Sequence, residues 1–154
     1  MIRRVQLKDI DEIMQIERQS FPVAWEYTIF LNICIRKGQV SSGESGTIFM
    51  DVLELNNRVI GYSVWEFDRR TAEGHILNLA IHPNERRKGN GRRMLLSVVE
   101  QLMTLHTKLC RLEVRESNIP ARALYEASGF KPSGKIAGYY FDEDAIVYTK
   151  HLQS

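Results

Sequence analysis

The chain is 154 residues long, 44% apolar and 26% charged, with 21 basic against 19 acidic side chains and a formal net charge of +2. This fits one domain over residues 1–154 with a packed core, and it excludes a disordered chain, a general nucleic-acid binder and a polybasic membrane binder. Neither a signal-peptide stretch in MIRRVQLKDID nor an apolar run near the roughly 18 residues of a membrane span is present, and Cys34 and Cys110 suit a reducing compartment, so the expectation is a soluble cytoplasmic protein.

Arg3 to Leu7 reads as a first strand. In KDIDEIMQIERQSF, Ile10, Ile13, Met14 and Phe21 recur at mostly helical spacing, Asp9 is a candidate N-cap, and Pro22 stops the helix. Trp25 to Arg36 reads as a second, shorter helix. Gly38 to Gly46, GQVSSGESG, is small and polar and reads as a mobile loop. TIFMDVLEL and VIGYSVWEF, separated at Asn56-Asn57-Arg58, read as a β-hairpin. HILNLAI (His75 to Ile81) is a further strand. From Gly91 a strongly amphipathic helix places Met94, Leu95, Val98, Val99, Leu102 and Leu105 on one stripe. CRLEV (Cys110 to Val114) is a short strand. ESNIPARALYEASGF is a capped helix, with Asn118 or Ser117 at its start, Pro120 in the first turn and Gly129 past its end. Gly138 to Leu152 offers two more strands around Asp142-Glu143-Asp144. This order argues an α/β or α+β sheet with helices on its faces.

The strand–loop–helix segment HILNLAIHPNERRKGNGRRMLL carries the first chemical signal. A helix N-terminus presents free N–H groups and partial positive charge, and two glycines let the backbone curl around an anion. Arg86, Arg87, Lys88, Arg92 and Arg93 crowd this end, where each cation is disfavoured by roughly 0.3–1 kcal/mol. A polyanion in the loop accounts for that placement; the alternative is a solvated basic turn. The segment lacks the Gly-Lys-Ser/Thr of a Walker loop and the third glycine of a dinucleotide fingerprint. The cluster is single and has no interleaved aromatics, which excludes a nucleic-acid surface. A diphosphate-bearing cofactor remains.

Arg86-Arg87-Lys88-Gly89-Asn90-Gly91 resembles the Arg/Gln-x-x-Gly-x-Gly/Ala acetyl-CoA signature of the GCN5-related N-acetyltransferase (GNAT) superfamily. LEVRESNIPARALYEASGF resembles the matching segment of protein N-terminal (Nα) acetyltransferases, both the ribosomal-protein-alanine enzymes and the archaeal and eukaryotic catalytic subunits. With Gly138-Tyr139-Tyr140 and Asp144-Ala145 the resemblance covers nearly the whole chain, most weakly at Gly38–Gly46. It implies the GNAT fold, a mixed, mostly antiparallel sheet with two splayed parallel strands and helices on both faces. It also implies acetyl-CoA as cosubstrate, with Leu79, Ala80 and Ile81 along the pantetheine arm and residues 86–92 around the pyrophosphate. Backbone N–H groups near Leu79 and Ile81 would bind the thioester carbonyl oxygen and stabilise the tetrahedral intermediate.

The chemistry needs a base for an α-ammonium of pKa about 7.7–8, against about 10.4 for lysine, and a proton donor for the leaving thiolate. Glu113 lies within an apolar strand, where a carboxylate is paired or functional; the alternative is pairing with an arginine. His75 starts the preceding strand and is a second candidate base, strengthened by the resemblance; the alternative is a structural histidine. Tyr125 matches the family's general-acid tyrosine, a role compatible with core packing. Asn118 matches the asparagine that contacts the cofactor, although helix capping alone explains it.

Phe21-Pro22-Val23-Ala24-Trp25 resembles the substrate loop of eukaryotic Nα-acetyltransferases that favour initiator methionine followed by an apolar residue. Many relatives carry glutamate where this chain has Val23, so an apolar first side chain is expected. Tyr139 and Tyr140 match the tyrosines that hold the acceptor backbone; the alternative is hairpin packing. The implied partners are protein or nascent-peptide N-termini, with a ribosome or an auxiliary subunit as further candidates, and neither a membrane nor sequence-specific nucleic acid. No metal-ligand spacing is visible among the four histidines and two cysteines. Two alternatives stay open: a GNAT enzyme acting on a small-molecule amine or a lysine side chain, and a non-catalytic CoA-binding module.

Overall fold

A computed structural model describes residues 1–152. Strand β1 (Ile2–Arg4) is shorter than the sequence suggests because Asp9 turns the chain. Its Oδ2 accepts from the Gln6 amide at 2.8 Å and pairs with Arg3 at 2.8 Å, closing a 3-10 turn over Leu7–Asp9. Asp9 therefore faces backwards and does not cap helix α1 (Ile10–Ser20). Helix α2 spans Tyr27–Ile35.

The segment Gly38–Gly46 is an ordered hairpin and not an open loop. Strand β2 (Gln39–Ser42) pairs antiparallel with β3 (Gly46–Leu55), from Gln39 opposite Phe49 to Ser42 opposite Gly46. Its small polar residues suffice at a sheet edge, where backbone pairing needs no apolar side-chain face. Strand β4 (Arg58–Asp68) returns through Asn56 and Asn57, whose φ values of 52° and 62° are the left-handed pair of a type I′ turn.

Strand β5 (Glu73–Ile81), helix α3 (Asn90–Thr104), strand β6 (Leu109–Arg115) and helix α4 (Ile119–Ala127) follow in the expected order. The final hairpin is displaced from the expected one. Its first strand, β7 (Lys131–Ile136), lies upstream of Gly138, and β8 (Ala145–His151) follows the acidic turn. Every residue of β7 is exposed, and its register with β8 shifts between Pro132 and Gly134, so it lacks the alternation of a half-buried strand.

The strands form one mixed sheet in the order β1-β3-β4-β5-β6-β8-β7, with β2 added on β3, and among the described residues only the β5–β6 pair is parallel. Helices cover both faces, as expected. On one face α1 and α2 bury Ile13, Met14, Phe30 and Ile33 against Met50, Val52, Tyr62 and Val64. On the other, Leu95, Val98, Val99 and Leu102 of α3 pack with Trp65, Ile76, Cys110, Leu112 and Tyr148. Leu105 falls just past the end of α3 and is exposed, so the stripe is one residue shorter than its periodicity implies. Among the described residues no helix is long and apolar enough to cross a membrane.

One irregularity positions the site. Parallel pairing between β5 and β6 runs only from Glu73–Leu109 to Ile76–Leu112. Immediately beyond, Leu77 is an extra residue opposite β4, since Val64 faces Asn78 while Trp65 faces Ile76. A bulge of this kind bends its strand and tightens the local twist. From Leu77 onward β5 and β6 are no longer paired with each other.

Candidate active site

Two cavities open where β5 and β6 part, of about 650 Å³ and about 350 Å³, and they share Phe21, Leu79, Asn118, Ala121 and Tyr125 as walls. The larger is bounded by the C-terminal end of β5, the start of α3 and helix α4. Leu79, Ala80, Ile81, Arg86, Arg87, Gly89, Gly91 and Arg92 line it together with Asn118 and Tyr125.

The loop into α3 is braced from within. Arg86 Nε donates to the Ile81 carbonyl at 2.9 Å and its terminal nitrogen to Ser20 Oγ at 2.9 Å, tying the loop to β5 and α1. The buried Asn90 donates to the Glu85 carbonyl at 2.9 Å, and Lys88 reaches Glu85 at 3.4 Å. Lys88 and Asn90 thus shape the loop without lining the cavity. Arg87 (φ 62°) and Gly89 (φ 82°) adopt left-handed conformations that curl the chain. Gly89 is the N-cap of α3 and has no side chain to accept from the first-turn amides, which leaves them available to an anion. A Cβ on Gly91 would lie 3.2 Å from Leu124 Cδ2, so glycine keeps the gap between α3 and α4 open. This concave cradle with cationic walls fits an elongated, diphosphate-bearing molecule.

The smaller cavity lies between the α1–α2 loop, strands β5 and β6, and the segment before β8. Phe21, Pro22, Val23 and Trp25 form one wall and Tyr139, Tyr140 and Phe141 another, with Glu113 between them. The Glu113 side chain is 8% exposed, and its Oε1 lies 2.7 Å from His75 Nε2. Arg111 donates to Glu113 Oε2 at 3.1 Å and stands 3.4 Å from His75 Nε2. Burial opposes ionisation of Glu113. The hydrogen bond and charge of His75, together with Arg111, outweigh it and hold the carboxyl below the usual range. The arginine-paired alternative and the histidine-paired arrangement therefore coexist. His75 does not line the cavity; it stands behind Glu113, with 18% of its side chain exposed.

Tyr125 is buried on α4 and touches both cavities. Its ring packs against Phe130 and Tyr148 with centroids 6.1 Å away in each case. Burial first, then neighbouring Tyr140 and Cys110, push its hydroxyl pKa well above that of free tyrosine. Asn118 caps α4 by accepting from the Ala121 amide at 3.3 Å, and it also faces both cavities. The Tyr139 and Tyr140 rings meet edge-on at 4.9 Å, and Arg115 lies 4.5 Å over Tyr140 while pairing with Asp142 and Glu143 at 2.9 and 3.1 Å. Burial and the charges of Tyr139 and Glu113 push Tyr140 up to about 12.

Among the cavity residues that the sequence reading did not single out are Glu17, Asn78 and Phe141. A signal for Glu17 was present. It lies seven residues after Ile10, four after Ile13 and three after Met14, so a carboxylate falls on the apolar stripe of α1.

The profile of the Acetyltransferase (GNAT) family matches residues 10–130, which include the α3 loop, Glu113 and Tyr125. The chain belongs to the GNAT family. It is 31% identical over 163 residues to an N-alpha-acetyltransferase from Saccharolobus solfataricus, covering 98% of this chain and 92% of that one. The crystal structure of the ribosomal-protein-S18-alanine N-acetyltransferase from Escherichia coli superposes with a TM-score of 0.83 at 25% identity, covering 100% of this chain and 94% of that one. Ard1 from Thermoplasma volcanium shares the fold with a TM-score of 0.85 at 23% identity, over 100% and 98% of the two chains. GNAT-fold proteins use acetyl-CoA, and the larger cavity of this GNAT chain has the cationic, glycine-curled cradle such a cosubstrate requires.

Proposed function

We propose that this GNAT protein transfers the acetyl group of acetyl-CoA to the free α-amino group of protein N-termini, nascent chains included. The observation that carries the reading is the placement of Glu113, backed by His75, at the strand splay, where it lines a cavity shared with the Phe21–Trp25 loop and with Tyr139 and Tyr140. The named activities of the Saccharolobus and Escherichia relatives agree with it.

Within residues 86–92, Arg87, Arg92 and the free amides at the first turn of α3 hold the diphosphate while Arg86, Lys88 and Asn90 shape the loop, and Leu79 to Ile81 flank the arm that brings the thioester to the splay. Acetyl-CoA supplies an acyl carbon open to an amine. Glu113 and His75 take one proton from the incoming ammonium, whose pKa of about 7.7–8 suits a weak base held ionised far better than a lysine near 10.4 does. A C–N bond forms, the C–S bond breaks, and Tyr125 gives its hydroxyl proton to the leaving sulfur. The second amine proton restores Tyr125, and the first leaves to solvent through the partly exposed His75 ring. Tyr139 and Tyr140 hold the acceptor backbone, and apolar Val23 receives the first side chain. The mixture of a Glu113–Tyr125 pair with Phe-Pro-Val in the loop favours broad acceptance, including methionine followed by an apolar residue.

The test is a peptide with one free N-terminus and one internal lysine, incubated with enzyme and acetyl-CoA and read by fragmentation mass spectrometry. A single acetyl group on the α-nitrogen is expected. Modification confined to the lysine contradicts the reading.

A further inference from the structure

Glu17 is a fully buried carboxylate that the mechanism above does not use. An aliphatic residue would fill its place on the α1 stripe without the cost of burying charge, which is high unless every oxygen finds donors. Here the donors come from three elements. Oε1 accepts from the Tyr62 hydroxyl on β4 and from Asn78 Nδ2 on β5 at 2.8 Å. Oε2 accepts from the backbone amide of Trp25 at 2.8 Å.

The last contact gives the network its meaning. The Phe21 amide donates to the Glu17 carbonyl at 3.1 Å, so both ends of the Phe21–Trp25 loop hydrogen-bond to the same residue. The other carboxylate oxygen grips Asn78, the residue directly after the bulged Leu77 where β5 leaves β6. The Trp25 ring continues the link, stacking on Phe30 at 5.4 Å, which meets Tyr62 edge-on at 5.7 Å. Glu17, Asn78 and Trp25 all border the acceptor cavity.

We infer that Glu17 is a positioning residue for acceptor selection. Its carboxylate fixes the loop that receives the first acceptor side chain at a set distance from the bulged strand beside the thioester. This rests on the reading of Phe21–Trp25 as the acceptor loop. Glu17 touches no reacting atom; it acts through Trp25 and Asn78.

The test compares Glu17→Leu, Glu17→Gln and a core control, Val98→Ala, which removes buried volume on the opposite face of the sheet. Two quantities are read: amide hydrogen exchange at Trp25, and the ratio of kcat/KM for peptides beginning Met-Leu and Ala. Glu17→Leu is expected to speed Trp25 exchange by about 10-fold or more while core amides of α3 keep their protection. It is also expected to cut the selectivity ratio by about 10-fold, leaving the KM for acetyl-CoA within about twofold. Glu17→Gln keeps one carbonyl acceptor and is expected to retain most of both properties. Val98→Ala lowers the melting temperature without moving the ratio.

A folded Glu17→Leu protein with an unchanged ratio overturns the inference, as does a Val98→Ala protein whose ratio falls equally. If Glu17→Leu does not fold, Asn78→Ala carries the test, since it cuts the link to the bulged strand and leaves the Trp25 amide bonded to Glu17; an unchanged ratio there overturns the inference. A wild-type enzyme that acetylates no free N-terminus overturns the acceptor reading, and this inference with it. An active wild type with an unchanged variant ratio overturns this inference alone.

Discussion

The imidazole Nε2 of His75 lies 2.7 Å from Oε1 of Glu113, joining two strands at the place where they stop pairing. His75 sits opposite Arg111 within the parallel ladder, and Glu113 is the first residue past its last rung, Ile76 with Leu112. On the proposed mechanism the two groups share one proton path and act as a unit. Glu113→Gln and His75→Gln are each expected to lower kcat/KM by about 10²-fold or more, and the double variant by little beyond the worse single one. Steady-state thiol release checks this, and multiplying losses contradict a shared relay.

Arg111 sets the sign of a pH effect. The groups facing Glu113 are His75, Arg111, Tyr139 and Tyr140; burial opposes ionisation, but the His75 hydrogen bond and the Arg111 guanidinium outweigh it and hold its pKa low. Arg111→Met removes one lowering influence, so the Glu113 pKa rises. Activity that needs the carboxylate is then lost at a higher pH as the medium is acidified. The acid limb of log kcat/KM against pH should move toward alkali, and movement toward acid contradicts this account of the pair.

On the proposed mechanism Tyr125 protonates the leaving thiolate, and its raised pKa keeps it protonated through neutral and mildly alkaline pH. No alkaline loss of activity should therefore arise from its ionisation below the usual tyrosine range. Tyr125→Phe is expected to lower kcat by about 10²-fold with acetyl-CoA, and by much less with an aryl thioester whose thiol leaves without a proton. Equal losses with both thioesters contradict the acid role.

Arg87 and Arg92 line the cosubstrate cavity, whereas Arg86 is occupied with Ile81 and Ser20. The double variant Arg87→Ala/Arg92→Ala should raise the KM for acetyl-CoA about 10-fold or more and leave turnover of acetyl-pantetheine, which lacks the diphosphate, nearly unchanged. Gly89→Ala forces a side chain into φ 82° and should cost about 1–2 kcal/mol of stability, read by denaturant melting.

Val23 is exposed at the mouth of the acceptor cavity. Val23→Glu should shift preference from Met-Leu toward small or polar first residues by about 10-fold in relative kcat/KM. An unchanged peptide profile contradicts the role given to that wall.

The elements that position the site were legible wherever side-chain periodicity or turn chemistry was strong. The α3 stripe, the Asn56-Asn57 turn and a carboxylate stranded in CRLEV each leave a local mark. What stayed hidden depends on distant partners. Strand β2 and exposed β7 are edge strands held by backbone pairing, so their side chains carry little pattern. The Leu77 bulge is defined by β4, and the Glu17 clasp joins residues 45 and 61 positions apart in sequence. An arginine partner for Glu113 is an expectation of the sequence, but only the pairing of β5 with β6 brings the Arg111 guanidinium beside His75 as well. Lys88 and Asn90 lie within a phosphate-like motif, yet both side chains go to Glu85, Asn90 from a buried position and Lys88 across the exposed surface.

The most direct test of the central claim is acetyl-CoA turnover, followed by thiol release, against a small peptide panel. The panel holds free N-termini beginning Met-Leu, Met-Glu, Ala and Ser, and one N-blocked peptide with an internal lysine. Release with free N-termini only, fastest for an apolar first residue, is the predicted result. Release only with the blocked peptide, or with none of the panel, contradicts the assignment to protein N-termini.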